Sequence, residues 1–330
     1  MTISRRHVLS AIPATGLLTT TIGRGAWAQS NIELARVITG FAVGGTADVI
    51  SRRVADKLRP GYARSALVEN RTGAGGQIAV QYIKGAMADG SAVLLTPMSM
   101  LCIYPHIYRK LPYDPVADLT PVSLGCMFDL AFGVGPQVPA GVRTINEYLA
   151  WAKANPKMAS FGVPASGSVP HFAGALLGHA GGVQLQQVAY RGTLPAIQDM
   201  IGGQIPAACG PVGEFTQFVQ AGNCRLLATT GSKRSRFAPA VPTLVEQGFP
   251  NMVHREWFGF YLPPKAGPGT VQRLNAALAA ALAAPDVVSA LAAIGLEAQS
   301  SSPAELAAMQ RKDLEHWAPL VKSIGFSADT

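Results

Sequence analysis

The sequence predicts an α/β protein built on parallel sheets, and three observations carry that prediction. Short apolar, β-branched runs recur along the chain with helical segments between them. The first two of these runs each empty into a glycine-rich turn that opens a helix, FAVGGTAD at 41–48 and ENRTGAGG at 69–76. Of the 330 residues, setting aside the first 28 leaves 302, more than one hydrophobic core usually serves, so two domains are expected.

The chain opens with Arg5-Arg6 ahead of an apolar stretch broken by Pro13 and Gly16, and Ala26-Trp27-Ala28 supplies the small residues of a signal-peptidase site. Residues 1–28 thus read as a twin-arginine signal peptide, cleaved before Gln29. An uncleaved membrane anchor would need close to 20 apolar residues, and this segment is shorter and rich in Thr and Gly. Strands are then expected at Glu33–Thr39, Ala66–Glu69, Ala92–Leu95, Ser160–Val163, Leu185–Ala189, Arg225–Thr229 and Phe258–Leu262. The first helix begins near Thr46, because Ala47, Ile50, Val54 and Leu58 fall on one face. Asp48 sits in its first turn, where a carboxylate complements the helix dipole, so it reads equally as a helix stabiliser or a ligand contact. Thr144 with Glu147 and Ser302 with Glu305 are capping boxes, and Pro303 suits a first helical position. Two closing helices are expected at Pro268–Ala284 and Pro303–Ser323. The apolar run between Arg273 and Asp286 is too short to span a bilayer.

Charged residues make up 14% of the chain, against roughly 25% in typical soluble proteins. The deficit is concentrated, since no Asp, Glu, Lys or Arg occurs from Met158 to Tyr190. Gly, Pro and Ser break this stretch too often for a membrane helix, and its backbone and hydroxyl donors suit a cleft wall that binds through dipoles. The formal charge of +8 falls to +5 once Arg5, Arg6 and Arg24 leave with the signal. Such a bias draws anions at low ionic strength, but the basic residues are scattered without interleaved aromatics, which argues against nucleic acid. Cys102, Cys126, Cys209 and Cys224 form no C-x-x-C pair and the histidines after residue 28 show no H-x-x-x-H spacing, so neither metal nor cofactor is expected. An oxidising compartment permits Cys102 to pair with Cys126, or Cys209 with Cys224; four buried free thiols is the alternative.

The first glycine turn has the makings of an anion receptor. Gly44 and Gly45 let backbone N–H groups approach a ligand, and the helix starting near Thr46 aims its unpaired N–H groups at the same place. Nucleotide readings fail on single residues. From Gly40 the spacing G-x-x-x-x-G is met at Gly45, but Thr46 stands where a phosphate-binding loop needs Lys. Gly73, Gly75 and Gly76 do not complete G-x-G-x-x-G, because position 78 is Ile78. A tight turn with no ligand remains the plain alternative.

FAVGGTAD, ENRTGAGG and the ADG at Ala88–Gly90 together resemble the N-terminal signature of the tripartite tricarboxylate transporter receptors, the Bug family of periplasmic solute-binding proteins. The resemblance runs on through GSVPHF at 167–172, VAYRGTLPAIQDMIGGQI at 188–205, TGSKRS at 230–235, VPTLVEQGFP at 241–250 and WFGFYLP at 257–263, and so covers nearly all of the mature chain. Val43, Thr72, Ala88 and Ala189 stand where family members usually have proline, which leaves these loops less stiff.

The resemblance implies two α/β lobes of the periplasmic binding-protein (Venus flytrap) type, each on a parallel sheet, with the chain crossing between them twice. Lobe one would comprise residues 29–125 and 257–330 and lobe two residues 126–256, with crossings near 125–134 and 255–262 and the last two helices packed back on lobe one. It implies a monomeric receptor for a small carboxylate, working with integral membrane subunits of a tripartite tricarboxylate-type transporter, or with a sensor protein instead. The implied ligand contacts are Phe41, Ala42, Gly44, Gly45, Asp48, Thr96 and Ser99 on lobe one and Ser166, Ser168, His171, Tyr190, Arg191 and Gly210 on lobe two. Arg191 reads either as a partner for a second carboxylate or as a solvated charge, and His171 as a ligand donor or a satisfied helix residue. An exported serine hydrolase is the rival from another class. Ser166, Ser168, His171 and Asp199 supply the residue types, but no G-x-S-x-G elbow occurs and Ser168 falls where it would cap a helix.

Overall fold

In the computed structural model, which describes residues 32–328, β1 (Ile32–Thr39) buries Val37 and Ile38 and delivers the first glycine turn at its end. The turn opens α1 (Thr46–Lys57), whose Ala47, Ile50 and Val54 are buried together with Leu58 just beyond it, as the periodicity requires. β2 (Ala63–Asn70), α2 (Gln77–Lys84) and β3 (Ala92–Pro97) follow, and β1 pairs in parallel with β2 on one side and β3 on the other. Two single turns, α3 (Ser99–Cys102) and α4 (Tyr104–Ile107), lead to the 15-residue β4 (Thr120–Val134).

The second set of elements is α5 (Ile145–Ala154), β5 (Ser160–Val163), α6 (Val169–Ala180), β6 (Gln186–Ala189), α7 (Thr193–Ile201), β7 (Ala207–Pro211), α8 (Val212–Gln220) and β8 (Arg225–Thr229). The chain returns through β9 (Arg255–Leu262) and ends in α9 (Pro268–Ala283), α10 (Pro285–Ala292), β10 (Glu297–Ala298) and α11 (Pro303–Ile324). β4 serves both sheets. Thr120 to Asp129 pair with β9 and, at Cys126 and Met127, with β10, whereas Leu130 to Val134 pair with β7 and β8. The strand order is β2-β1-β3-β9-β4-β7-β5-β6.

The two-lobed α/β fold is therefore present, but its sheets are mixed and not parallel. β9 runs antiparallel to β3 and to β4, and β4 antiparallel to β7 and β8. The two strands that carry the chain out and back must oppose each other, so parallel pairing is confined to β2-β1-β3 and β6-β5-β7. An ion pair marks the crossing: Arg255 bonds Asp129 at 3.0 Å and Glu297 at 3.0 Å.

Both expected capping boxes form, on α5 and α11. α10 escaped the sequence reading because apolar alanine-rich chain runs on from α9; extended backbone at Ala284 followed by Pro285 breaks it. α11 reaches beyond the first sheet's helices. Its Trp317 ring lies 5.8 Å from Phe172 of α6, and Phe326 just past it meets the His171 ring edge-on at 4.5 Å. The main apolar core runs through both sheets, with a smaller cluster around Ile197, Met200 and Phe215 under α7 and α8. Among the described residues no single helix is long and apolar enough to cross a membrane. All four cysteines are buried free thiols, so neither of the considered disulfides forms. The twin-arginine and cleavage-site residues lie outside the described ones.

Candidate functional site

The carboxyl ends of β1, β3 and β5 and the start of α7 surround a cavity of about 280 Å³. The first sheet's loops contribute Phe41, Ala42, Val43 and Gly45, then Pro97, Ser99 and Met100. The second sheet's loops contribute Pro164, Ala165 and Ser168, then Arg191 and the opening residues of α7. Between them the wall is aromatic, formed by Tyr104, Phe128 and Phe258 as well as Phe41, with the Phe128 and Phe258 rings stacked at 5.7 Å. The sequence offered no sign of this: the rings lie far apart in the chain and meet because β4 and β9 are neighbours.

Two hydrogen-bonded links join the two sides. Thr46, first residue of α1, donates its N–H to Glu214 Oε1 at 3.2 Å and its hydroxyl to the same oxygen at 2.5 Å. Ser99 accepts from the Val169 N–H at the start of α6 at 3.0 Å, and with its oxygen so engaged donates its hydroxyl to Glu256 Oε1, also at 3.0 Å. Burial drives the Glu256 carboxyl up to about 8, against the pull of the Ser99 hydroxyl. Burial likewise raises Glu214, with the Thr46 donors and the Leu194 N–H opposing. Glu214 as a residue is half-buried, and its Oε2 is sealed from solvent. Arg191 is exposed at the cavity's lip.

Of the implied contacts, Phe41, Ala42, Gly45, Ser99, Ser168 and Arg191 line this cavity. The others do not. Gly44 has the positive φ, +86°, while Gly45 is extended at −80°, and the Gly44 N–H is taken by Asp48 Oδ2 at 3.0 Å. Asp48 also accepts from Arg52 at 2.9 Å and from Asn70 at 2.9 Å. Burial raises this carboxyl, but those bonds outweigh it and leave it below its ordinary value, which makes Asp48 the brace of the turn. Thr96 is buried and donates to Met100 Sδ. His171 accepts the Gly167 N–H on Nδ1 at 3.0 Å, and burial lowers it to about 4. Ser166 accepts from Gln187 at 3.0 Å. Tyr190 donates to Asp199 at 2.9 Å and faces a neighbouring hollow under the 72–76 loop. Gly210 lies in β7, where a Cβ would stand 2.2 Å from Thr193 Cγ2, so its part is to let α7 press on the strand.

Ser168 caps α6, accepting from the His171 N–H at 3.4 Å while its hydroxyl donates to the Ala165 carbonyl. The hydroxyl and the imidazole thus have separate partners, and no serine–histidine couple of the kind a hydrolase needs is formed. Glu214 and Glu256 were missed by the sequence reading. Their signal is faint but present: each is a lone acid inside an apolar run, AACGPVGEF and REWFGFYLP.

Two α/β sheets sharing a long strand, with loops from both facing one cavity, define a two-lobed solute-binding protein. Residues 50–326 match the model of the tripartite tricarboxylate transporter family receptor, and the chain belongs to that family. It is 30% identical over 314 residues to the protein BugT of Bordetella pertussis, covering 94% of this chain and 96% of that one. The solved structure of the periplasmic binding protein BugD is similar with a TM-score of 0.83 and 28% identity, over 89% of this chain and 98% of its own. Rpa4515 of R. palustris, solved with adipate, is similar with a TM-score of 0.84 and 27% identity, over 89% and 98%.

Proposed function

We propose that this protein is an exported periplasmic receptor that captures a small organic acid and presents it to the integral membrane subunits of a tripartite tricarboxylate-type transporter, with no catalytic step. The cavity carries this reading: it is small, reached by loops from both sheets, and offers a carboxylate the first turn of α7 beside Arg191. Gly192 caps α7, so the Thr193 N–H opens the helix without an intrahelical partner, at its positive end, while the next N–H, that of Leu194, turns to the Glu214 carboxylate. The adipate in the R. palustris relative supports the ligand class. The lobes divide at residues 125/126 and 256/257, within or beside the two crossing strands.

A thermal-shift screen of the protein lacking residues 1–28 against mono-, di- and tricarboxylates, amino acids and nicotinate-like aromatics tests this. A stabilising hit that calorimetry confirms, weakened at least tenfold by Arg191→Ala, is the expected outcome. A screen in which no small acid stabilises the protein would sink the reading.

A further inference from the structure

Two acids line the cavity, and their hydrogen bonds set them apart. Glu214 is well supplied with donors: the Thr46 N–H and hydroxyl reach it from the first sheet's side, and the Leu194 N–H from the start of α7. It is spent on holding the two sides together. Glu256 has a single donor, the Ser99 hydroxyl at 3.0 Å on Oε1, and the Ser99 oxygen is committed in turn to the Val169 N–H. Its Oε2 has no partner among the described residues and is not one of the sealed oxygens, so it opens on the cavity that the residue lines.

The surroundings of Glu256 favour a neutral acid. Phe128 stands directly across from it in the β4–β9 pairing, 1% exposed and stacked on Phe258. Arg255, its neighbour on β9, is engaged by Asp129 and Glu297, which leaves the buried carboxyl without a cation. The titratable groups turned towards it are Tyr104 of α4, Cys126 of β4 and Cys209 of β7, and burial holds all three protonated. Burial lowers His254, just before β9, and His171 of α6 to about 4, so both are neutral at ordinary pH. Glu214 and Arg191 share the cavity wall. Because Ser99 donates to Oε1, the proton of a neutral Glu256 falls on Oε2, where it is offered to the cavity.

We propose that Glu256 meets the ligand as a neutral carboxylic acid, its Oε2–H donating to an oxygen of the bound acid, so that capture is linked to a proton. This rests on the small-acid reading above and adds a specificity-determining residue to it. An O–H donor to a carboxylate oxygen makes a short, charge-assisted bond, whereas an ionised Glu256 would present like charge and no donor. Below about pH 8 the proton is already in place; above it, binding takes one proton from solvent. The Val169 N–H, the Ser99 hydroxyl, Glu256 and the ligand then form one chain of donors, in which the link between the sheets and the grip on the ligand are set together.

Calorimetry with acetate, succinate, malate, adipate and nicotinate, all of them ionised throughout the range from pH 7 to pH 9, tests it. For the acids that bind, affinity is expected to fall about tenfold across that range, the ratio of protonated fractions either side of 8, and enthalpies that depend on the buffer at pH 9 should report proton uptake. Glu256→Gln should show neither effect. At pH 7 it should bind at least tenfold more tightly than Glu256→Met, because the amide keeps a donor and the thioether has none. A flat wild-type profile, or a fall and a proton uptake that persist in Glu256→Gln, overturns the assignment while the small-acid receptor stands. If none of the five acids binds, both fall. The wild-type profile needs no variant to fold.

Discussion

Glu256 is 5% exposed at the second position of β9, with one hydroxyl donor and no cation, and burial holds it protonated up to about pH 8. Its folded value exceeds the ordinary 4.5 of an unfolded Glu, so the folded state binds more protons than the unfolded one between those limits. Stability is therefore fully present below about pH 4.5 and is lost as pH rises towards 8. Denaturant titrations at pH 5 and pH 7.5 should show that fall, and Glu256→Gln should flatten it; an equal slope in the variant would mean the carboxyl is not the source. The glycine pair separates as cleanly. Gly44→Val forces a β-branched residue to φ +86° and should cost about 1–2 kcal/mol. Gly45→Val at −80° loses only an N-cap preference, under about 1 kcal/mol, but intrudes on the cavity and should weaken ligand binding at least tenfold. Equal stability losses in the two variants would contradict this division.

Among the elements, those announced by local chemistry were legible in the sequence. The α1 face, both capping boxes and β5 and β8 to their end residues follow from periodicity and end signals that the chain carries within a few residues. Ser168 belongs here, and Ser168→Ala should cost about 1 kcal/mol through the lost α6 cap, read as a lower melting temperature without change in secondary structure. What escaped was set by distant chain. β7 reads as AACGP, small residues with glycine and proline, and is a strand because β4 and β5 flank it. The antiparallel course of β4 and β9 depends on where the chain recrosses. The site divides in the same way: the loops at 41–45, Ser168 and Arg191 stood out through their motifs, while Glu214, Glu256 and the aromatic wall gain meaning only when the two sheets meet. Asp48 and His171 were ambiguous for the same reason, since their partners decide their roles and the partners are Gly44, Arg52 and Asn70 in one case and Gly167 in the other.

At the scale of the whole molecule, the two sheets are joined covalently by β4 and the chain returning through β9, and non-covalently by a few links around the cavity. Thr46 to Glu214 and Ser99 to Val169 run from the first sheet's loops to the second sheet's helices, and the Trp317–Phe172 and Phe326–His171 contacts add an aromatic seam from the C-terminal helix. Ordinary hydrogen bonds contribute about 0.5–1.5 kcal/mol each, so without ligand the two polar links are a weak clasp that a hinge at the crossing strands can release. A ligand spanning both walls adds its own binding energy to the closed arrangement only. At 100 times its Kd that linkage is worth about 2.7 kcal/mol of stability, and the protein should become more compact as well as more stable. X-ray scattering with and without a ligand proven by calorimetry should show a smaller radius of gyration on binding. Ser99→Ala combined with Thr46→Val should enlarge the ligand-free radius, because both polar links are gone while the aromatic seam and the crossing strands remain. Scattering curves that superimpose in all three cases would mean that the two sheets form a rigid body and that the clasp has no opening to restrain.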